Sequence, residues 1–162
     1  MAEIVLDIEG IPGECTTKKY EGKITVNSIS LNATQEVDRS TNTPRTKHTI
    51  SVEDVSVSRN FDKSSLVLMD YLVTGKTIPK ATFWVLRAIG DQVEAQDWFL
   101  KITLTDALIS SQNFSINEGD LTDDLTFDFN KIEFAYRPGK PDGTVDTGEI
   151  PTNFNALLGK KE

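Results

Sequence analysis

The sequence predicts a mainly β fold, a small antiparallel β-barrel of long bent strands with one short α-helix on its flank. Apolar residues alternate with period two over long stretches, as half-buried strands require. That alternation slips by one residue partway along. Ile24 and Val26 give way to Ile29 and Leu31, and Ile50 and Val52 to Val55 and Val57. Leu100, Ile102 and Leu104 give way to Ala107 and Ile109, and Leu125, Phe127 and Phe129 to Ile132, Phe134 and Tyr136. A slip turns the core face outward unless the strand bulges and bends there. Strands bent at mid-length suit a closed barrel better than a flat sheet.

The elements follow in order. Glu3 to Ile8 reads as a short strand, and Glu9-Gly10-Ile11-Pro12-Gly13-Glu14 as a turn that strand geometry would not tolerate. A second strand is expected from Lys23 to Glu36 with its slip at Asn27-Ser28, then a polar loop from Val37 to His48. A third runs from Thr49 to Phe61 and slips at Glu53-Asp54. Asp62 opens the helix, because its carboxylate can accept the free N–H groups of the first turn. Leu66, Met69 and Val73 form one stripe at helical spacing, widened by Leu68, Tyr71 and Leu72. Gly75 supplies the left-handed residue that ends it.

Pro79 opens a fourth strand, Lys80 to Ile89, apolar on both faces. Ala81, Phe83 and Val85 lie on one face, and Trp84, Leu86 and Ala88 on the other. Such a strand needs a second cover, either the helix or another subunit. Gly90-Asp91 is a turn, Gln96 to Ser115 carries one or two strands, Asn117-Glu118-Gly119-Asp120 is a loop, and Leu121 to Arg137 is the last long strand. The tail from Pro138 to Glu162 is expected to be extended or loop-rich. Residues 1–162 read as a single domain, long enough to bury a core without disulfides or metal.

The net charge of -8 disfavours nucleic acid, whose phosphates would be repelled. Cys15 is the only cysteine, which fits a reducing compartment of synthesis. No signal peptide and no membrane-length apolar stretch is legible.

Chemistry finds few footholds. His48 is the only histidine and sits in the polar loop, without the nucleophile and acid of a triad. One His and one Cys cannot make a conventional zinc site. Asp146-Thr147-Gly148 matches the aspartic-protease triplet, but Asp142, Gly143 and Glu149 around it make a surface turn. Glu118, Asp120, Asp123 and Asp124 cluster without the spacing of a calcium loop and read as a solvated acidic loop. No catalytic residue, cofactor or metal is expected.

Motifs in order along the chain carry a resemblance. Ile11-Pro12-Gly13-Glu14, Asp62-Lys63-Ser64-Ser65-Leu66, Gly75-Lys76 followed by Pro79, Ala107-Leu108-Ile109-Ser110-Ser111, and Tyr136-Arg137-Pro138 through Asp142-Gly143 span about 130 residues. Together they resemble Hcp, the haemolysin-coregulated protein family of inner-tube proteins of the bacterial type VI secretion system. The resemblance implies hexameric rings stacked into a hollow tube, propelled by a contractile sheath, capped by a spike and able to carry small effectors. It implies synthesis in the cytoplasm and delivery outside by the machine itself, with no membrane insertion.

Function is then expected to be assembly. Phe83, Trp84 and Val85 are candidates for a subunit interface. The basic loop residues Arg39, Arg45 and Lys47 of one ring are expected to face Asp120, Asp123 and Asp124 of the next. An enzyme would need a convergent site of perturbed carboxylates and would lose activity on changing Asp146, which is not expected. Two further alternatives remain. One is a monomeric ligand-binding barrel with Phe127, Phe129 and Trp98 lining its lumen, and the other is a phage tail-tube protein.

Overall fold

A computed structural model describes residues 3–17, 19–37, 48–89, 92–138 and 148–155. The strands are β1 (Glu3–Ile8), β2 (Ile24–Val26), β3 (Ser28–Ser30), β4 (Ala33–Val37), β5 (His48–Val52) and β6 (Val55–Asn60). After α1 (Ser64–Thr74) come β7 (Ile78–Ile89), β8 (Gln92–Asn117), β9 (Asp120–Asp128), β10 (Lys131–Tyr136) and β11 (Ile150–Asn155). The main sheet has nine strands, in the order β2-β1-β7-β8-β9-β6-β3, with β10 beside β8 and β11 beside β10; β4 and β5 form a separate ribbon. Every one of these pairings is antiparallel. The two end strands, β2 and β3, are consecutive in the chain and joined through Asn27, so the sheet comes round on itself without a closing ladder.

The phase slips mark where the chain passes from one part of the sheet to another. At Asn27 it leaves β1, the partner of β2, for β6, the partner of β3, and the Asn27 N–H donates to the Ser58 carbonyl at 2.8 Å. At Glu53-Asp54 it leaves the ribbon for the main sheet. In β8 it passes Asp106, whose φ is +52°, pairing with β7 through Ala107 and with β9 from Leu108 onward. At Phe129-Asn130 it leaves β9 for β10. The Asn130 N–H donates to the Thr105 carbonyl at 3.1 Å, which ties this crossing to the bend in β8.

The expected second and third strands are therefore divided into β2, β3 and β4 and into β5 and β6, and the last long strand into β9 and β10. The stretch expected to hold one or two strands is one bent strand, and the loop after it is a tight turn with Gly119 at φ +81°. The tail supplies β11, paired to β10 from Tyr136↔Ile150 to Lys131↔Asn155. His48 is the first residue of β5 and pairs with Val37.

Phe83, Leu104, Leu125 and Phe127 fill the interior, Phe83 and Phe127 meeting edge to face at 6.2 Å between centroids. Phe127 and Phe129 belong to this core, whereas Trp98 packs in a second cluster, so the three do not share a lumen. Part of the second face of β7 is covered from within the chain, and not by the helix. Leu86 packs with Val5 and Cys15 under Tyr20, Trp84 and Trp98. Cys15 is thus a buried apolar group and not a surface thiol.

Gly13 lies where its turn crosses the start of β2, and an added Cβ would clash with the Lys23 carbonyl oxygen and the Ile24 backbone. Gly13→Ala is expected to cost about 1–3 kcal/mol, by the usual penalty for overpacking, seen as a lower urea midpoint with an unchanged slope.

Candidate functional site

The densest set of functional-type side chains is a buried ionic cluster. Arg59 on β6 lies directly opposite Asp123 on β9, and both are fully buried. Arg59 Nη2 donates to Asp123 Oδ2 at 2.6 Å and to Ser65 Oγ at 2.9 Å. Its Nη1 donates to Ser64 Oγ at 2.7 Å and to Asp62 Oδ1 at 3.0 Å. Gln112 Nε2, from β8, donates to both Asp123 oxygens and to the Ser65 carbonyl, each at 3.1 Å. Asp62 Oδ1 also accepts the Ser64 N–H at 2.9 Å, so Asp62 caps the helix from just outside it.

This cluster decides which face of α1 is buried. Ser64, Ser65 and Leu68 face inward, while Leu66 and Val73 are 62% and 76% exposed. The apolar stripe expected at Leu66, Met69 and Val73 is therefore not the packed face. The two serines, hydrogen-bonded to Arg59, set the rotation of the helix.

The cluster also corrects the reading of Asp123 as part of a solvated loop. Asp123 shares the core-facing parity of Leu125 and Phe127, and its charge is neutralised by Arg59. Asp120 and Asp124 lie on the opposite face of β9 and are exposed, as is Glu118 in the turn. The four acids do not converge, and among the described residues no group of three or more His, Cys, Asp or Glu could hold a metal. Arg39, Arg45 and Lys47 lie outside the described residues, as do Asp146 and Thr147.

Three surface features stand out. Across β3, β6, β9 and β8 run two polar rows, Ser28–Ser58–Asp124–Asn113 and Ser30–Ser56–Thr126–Ser111. The sequence signals this face in its Ser-x-Ser alternations, which the strand reading passed over. Ser110 and Ser111 straddle a register shift in β8, and both hydroxyls lie 2.6 Å from Thr126 Oγ1.

The second feature is an aromatic–cation strip. Trp84 and Trp98 lie 5.6 Å apart, with Lys101 Nζ 5.3 and 5.7 Å from their ring centres and the Arg137 guanidinium 4.4 Å over Trp98. The third is bare apolar surface in directly opposed pairs, Ile116 with Leu121 and Tyr136 with Ile150. Of the expected subunit-interface residues, Phe83 is in the core and Val85 is 8% exposed; only Trp84 reaches the surface.

The family model described as "Type VI secretion system effector, Hcp" matches residues 5–136. The protein Hcp1 of Pseudomonas aeruginosa is 34% identical over 109 residues, which is 65% of this chain and 65% of that protein. The chain thus matches just under two thirds of that relative's length. A solved type six secretion system protein superposes with a TM-score of 0.88 at 18% identity, covering 100% of both chains. Hcp1 from Salmonella typhimurium gives 0.74 at 24% identity over 99% of both. A type VI secretion system effector from Yersinia pestis gives 0.71 at 23% identity, over 94% of this chain and 98% of that one. At these identities the superpositions establish a shared fold.

Truncating one member of a buried ion pair strands the other charge. Arg59→Met or Asp123→Leu alone is expected to cost about 3–5 kcal/mol, the range for breaking such a pair. The double variant should recover a large part of that loss. Urea unfolding of the four proteins checks this, and additive losses would contradict the coupling.

Proposed function

The chain belongs to the Hcp family of type VI secretion proteins, and on that premise we propose that it works by assembly and not by catalysis. Copies close into hexameric rings, and the rings stack into a hollow tube that small effectors can occupy. A contractile sheath propels the tube, a spike caps it, and the machine delivers the protein outside the cell in which it is made.

The observation that carries this reading is the apolar surface one copy leaves bare. Ile116 is 75% exposed opposite Leu121 at 38%, and Ile150 is 60% exposed opposite Tyr136 at 42%. Opposed apolar pairs left in water are what a protein–protein contact removes. The polar rows of β3, β6, β9 and β8, in which Asp124 is the one charged side chain, supply a further surface that suits a wall along which polar cargo passes.

Rings of like net charge stack only where opposite charges meet locally. Arg39, Arg45 and Lys47 of one ring are proposed to face Asp120 and Asp124 of the next, Asp123 being committed to Arg59.

Native mass and negative-stain images of the purified chain test the ring. A hexamer mass with ring-shaped particles is expected, and a monomer at every concentration would contradict it. Reversing Asp120 and Asp124 to Lys, or Arg45 to Glu, should abolish salt-sensitive stacking and leave single rings. Tubes that form as readily as those of the unaltered chain would exclude this pairing of charges.

A further inference from the structure

We infer that the β8–β9 hairpin of one copy seats its apolar tip on the Trp84–Lys101–Trp98–Arg137 strip of a second copy. The inference rests on the reading of the chain as a ring-forming unit and names a contact between neighbours in the ring.

The hairpin has two unlike faces. Its core-facing side runs outward from buried Leu125 and Asp123 to Phe114, which meets Phe61 edge to face at 5.3 Å, and then to Ile116 and Leu121. The core side therefore continues past the last residues that cover it and ends in a bare apolar pair. Glu118 stands exposed in the turn directly beyond that pair. Asp120 and Asp124 project from the other face, so the contacts between rings and within a ring use different sides of one hairpin.

The strip has the complementary chemistry. A register shift places Val85 opposite Leu100 and Leu86 opposite Trp98, leaving Phe99 as the extra residue of β8. This bulge brings Trp98 and Lys101, three apart in sequence, to the same side of the sheet as Trp84. The indoles are half-buried and offer flat apolar area at little entropic cost. Among the described residues no carboxylate pairs with Lys101. Trp and Arg are also the side chains enriched where association energy concentrates.

The second copy is the occupant because the chain carries both halves of the match. One patch is apolar and acidic, the other aromatic and cationic, and they lie on different surfaces. A contact between unlike patches is heterologous and propagates head to tail, and it closes into a ring when its rotation permits. Glu118 of one copy then meets Lys101 of the next, with Ile116 and Leu121 against Trp84 and Trp98.

The test is the assembly midpoint concentration of the full chain by mass photometry and sedimentation, with circular dichroism and thermal melts to confirm folding. Lys101→Glu and Ile116→Ser are each expected to raise that midpoint about tenfold or more, the effect of about 1.4 kcal/mol. Lys101→Glu combined with Glu118→Lys should restore much of the loss. Folded variants that assemble like the unaltered chain would overturn the contact and leave the ring reading standing. So would Lys101→Glu losing assembly without rescue by Glu118→Lys. An unaltered chain that is monomeric at all concentrations would overturn the ring reading itself, and this contact with it.

Discussion

The buried pair of Arg59 and Asp123 is the constraint around which the rest of this structure is arranged. A guanidinium withdrawn from water must find a carboxylate and fill its remaining donors, or the fold pays the desolvation cost unrelieved. Here the carboxylate comes from β9, two hydroxyls come from the first turn of α1, and Asp62 supplies a further oxygen, so Nη1 and Nη2 are satisfied while Nε is left without a partner. Gln112 joins the same carboxylate from β8. Three strands and the helix thereby meet at one polar point. That point fixes both the register of β6 on β9 and the rotation of α1.

The helix shows the consequence most clearly. It has apolar residues on both faces, so hydrophobicity alone does not choose between them. Ser64 and Ser65 choose, because turning them outward would leave Arg59 without two of its acceptors. Leu66 and Val73 are then left in water. Elsewhere the chain solves a different problem, that of enclosing a core with strands too long for one flat sheet. It does so by letting successive parts of one strand serve different neighbours. The bends that result are held by Asn27 and Asn130, whose backbone N–H groups reach carbonyls across the crossing.

Much of this was legible in the amino acids. The period-two alternation located the strands, and its slips located the crossings, because a strand changing partners must exchange its faces. The slips did not reveal how far each piece runs, and three expected strands proved to be divided. Nor could they show β11, since Ile150-Pro151-Thr152-Asn153-Phe154 has little periodicity of its own and is ordered by pairing with β10. Asp123 was misread for a different reason. Composition groups it with Glu118, Asp120 and Asp124, but parity groups it with Leu125, and parity governs burial in a strand. Arg59 carried the same signal at the end of Val55-x-Val57-x-Arg59. The aromatic–cation strip was beyond reach, because it exists only through the bulge that aligns Trp98 with Trp84.

Among the described residues Glu118, Asp120 and Asp124 do not converge with Asp123, and Ile116 with Leu121 and Tyr136 with Ile150 stand exposed in opposed pairs on strand segments, beside Leu66 and Val73 of the helix. The measurement that tests the central role of the ionic cluster most directly is native-state hydrogen exchange of the full chain. The amides of Arg59, Gln112, Asp123 and Leu68 should all exchange through one global opening, with one free energy and one denaturant dependence. Exchange of the α1 amide through a separate, lower-energy opening while the strands stay protected would contradict it. The cluster would then be a local ornament of the sheet and not the joint that binds helix and strands into one unit.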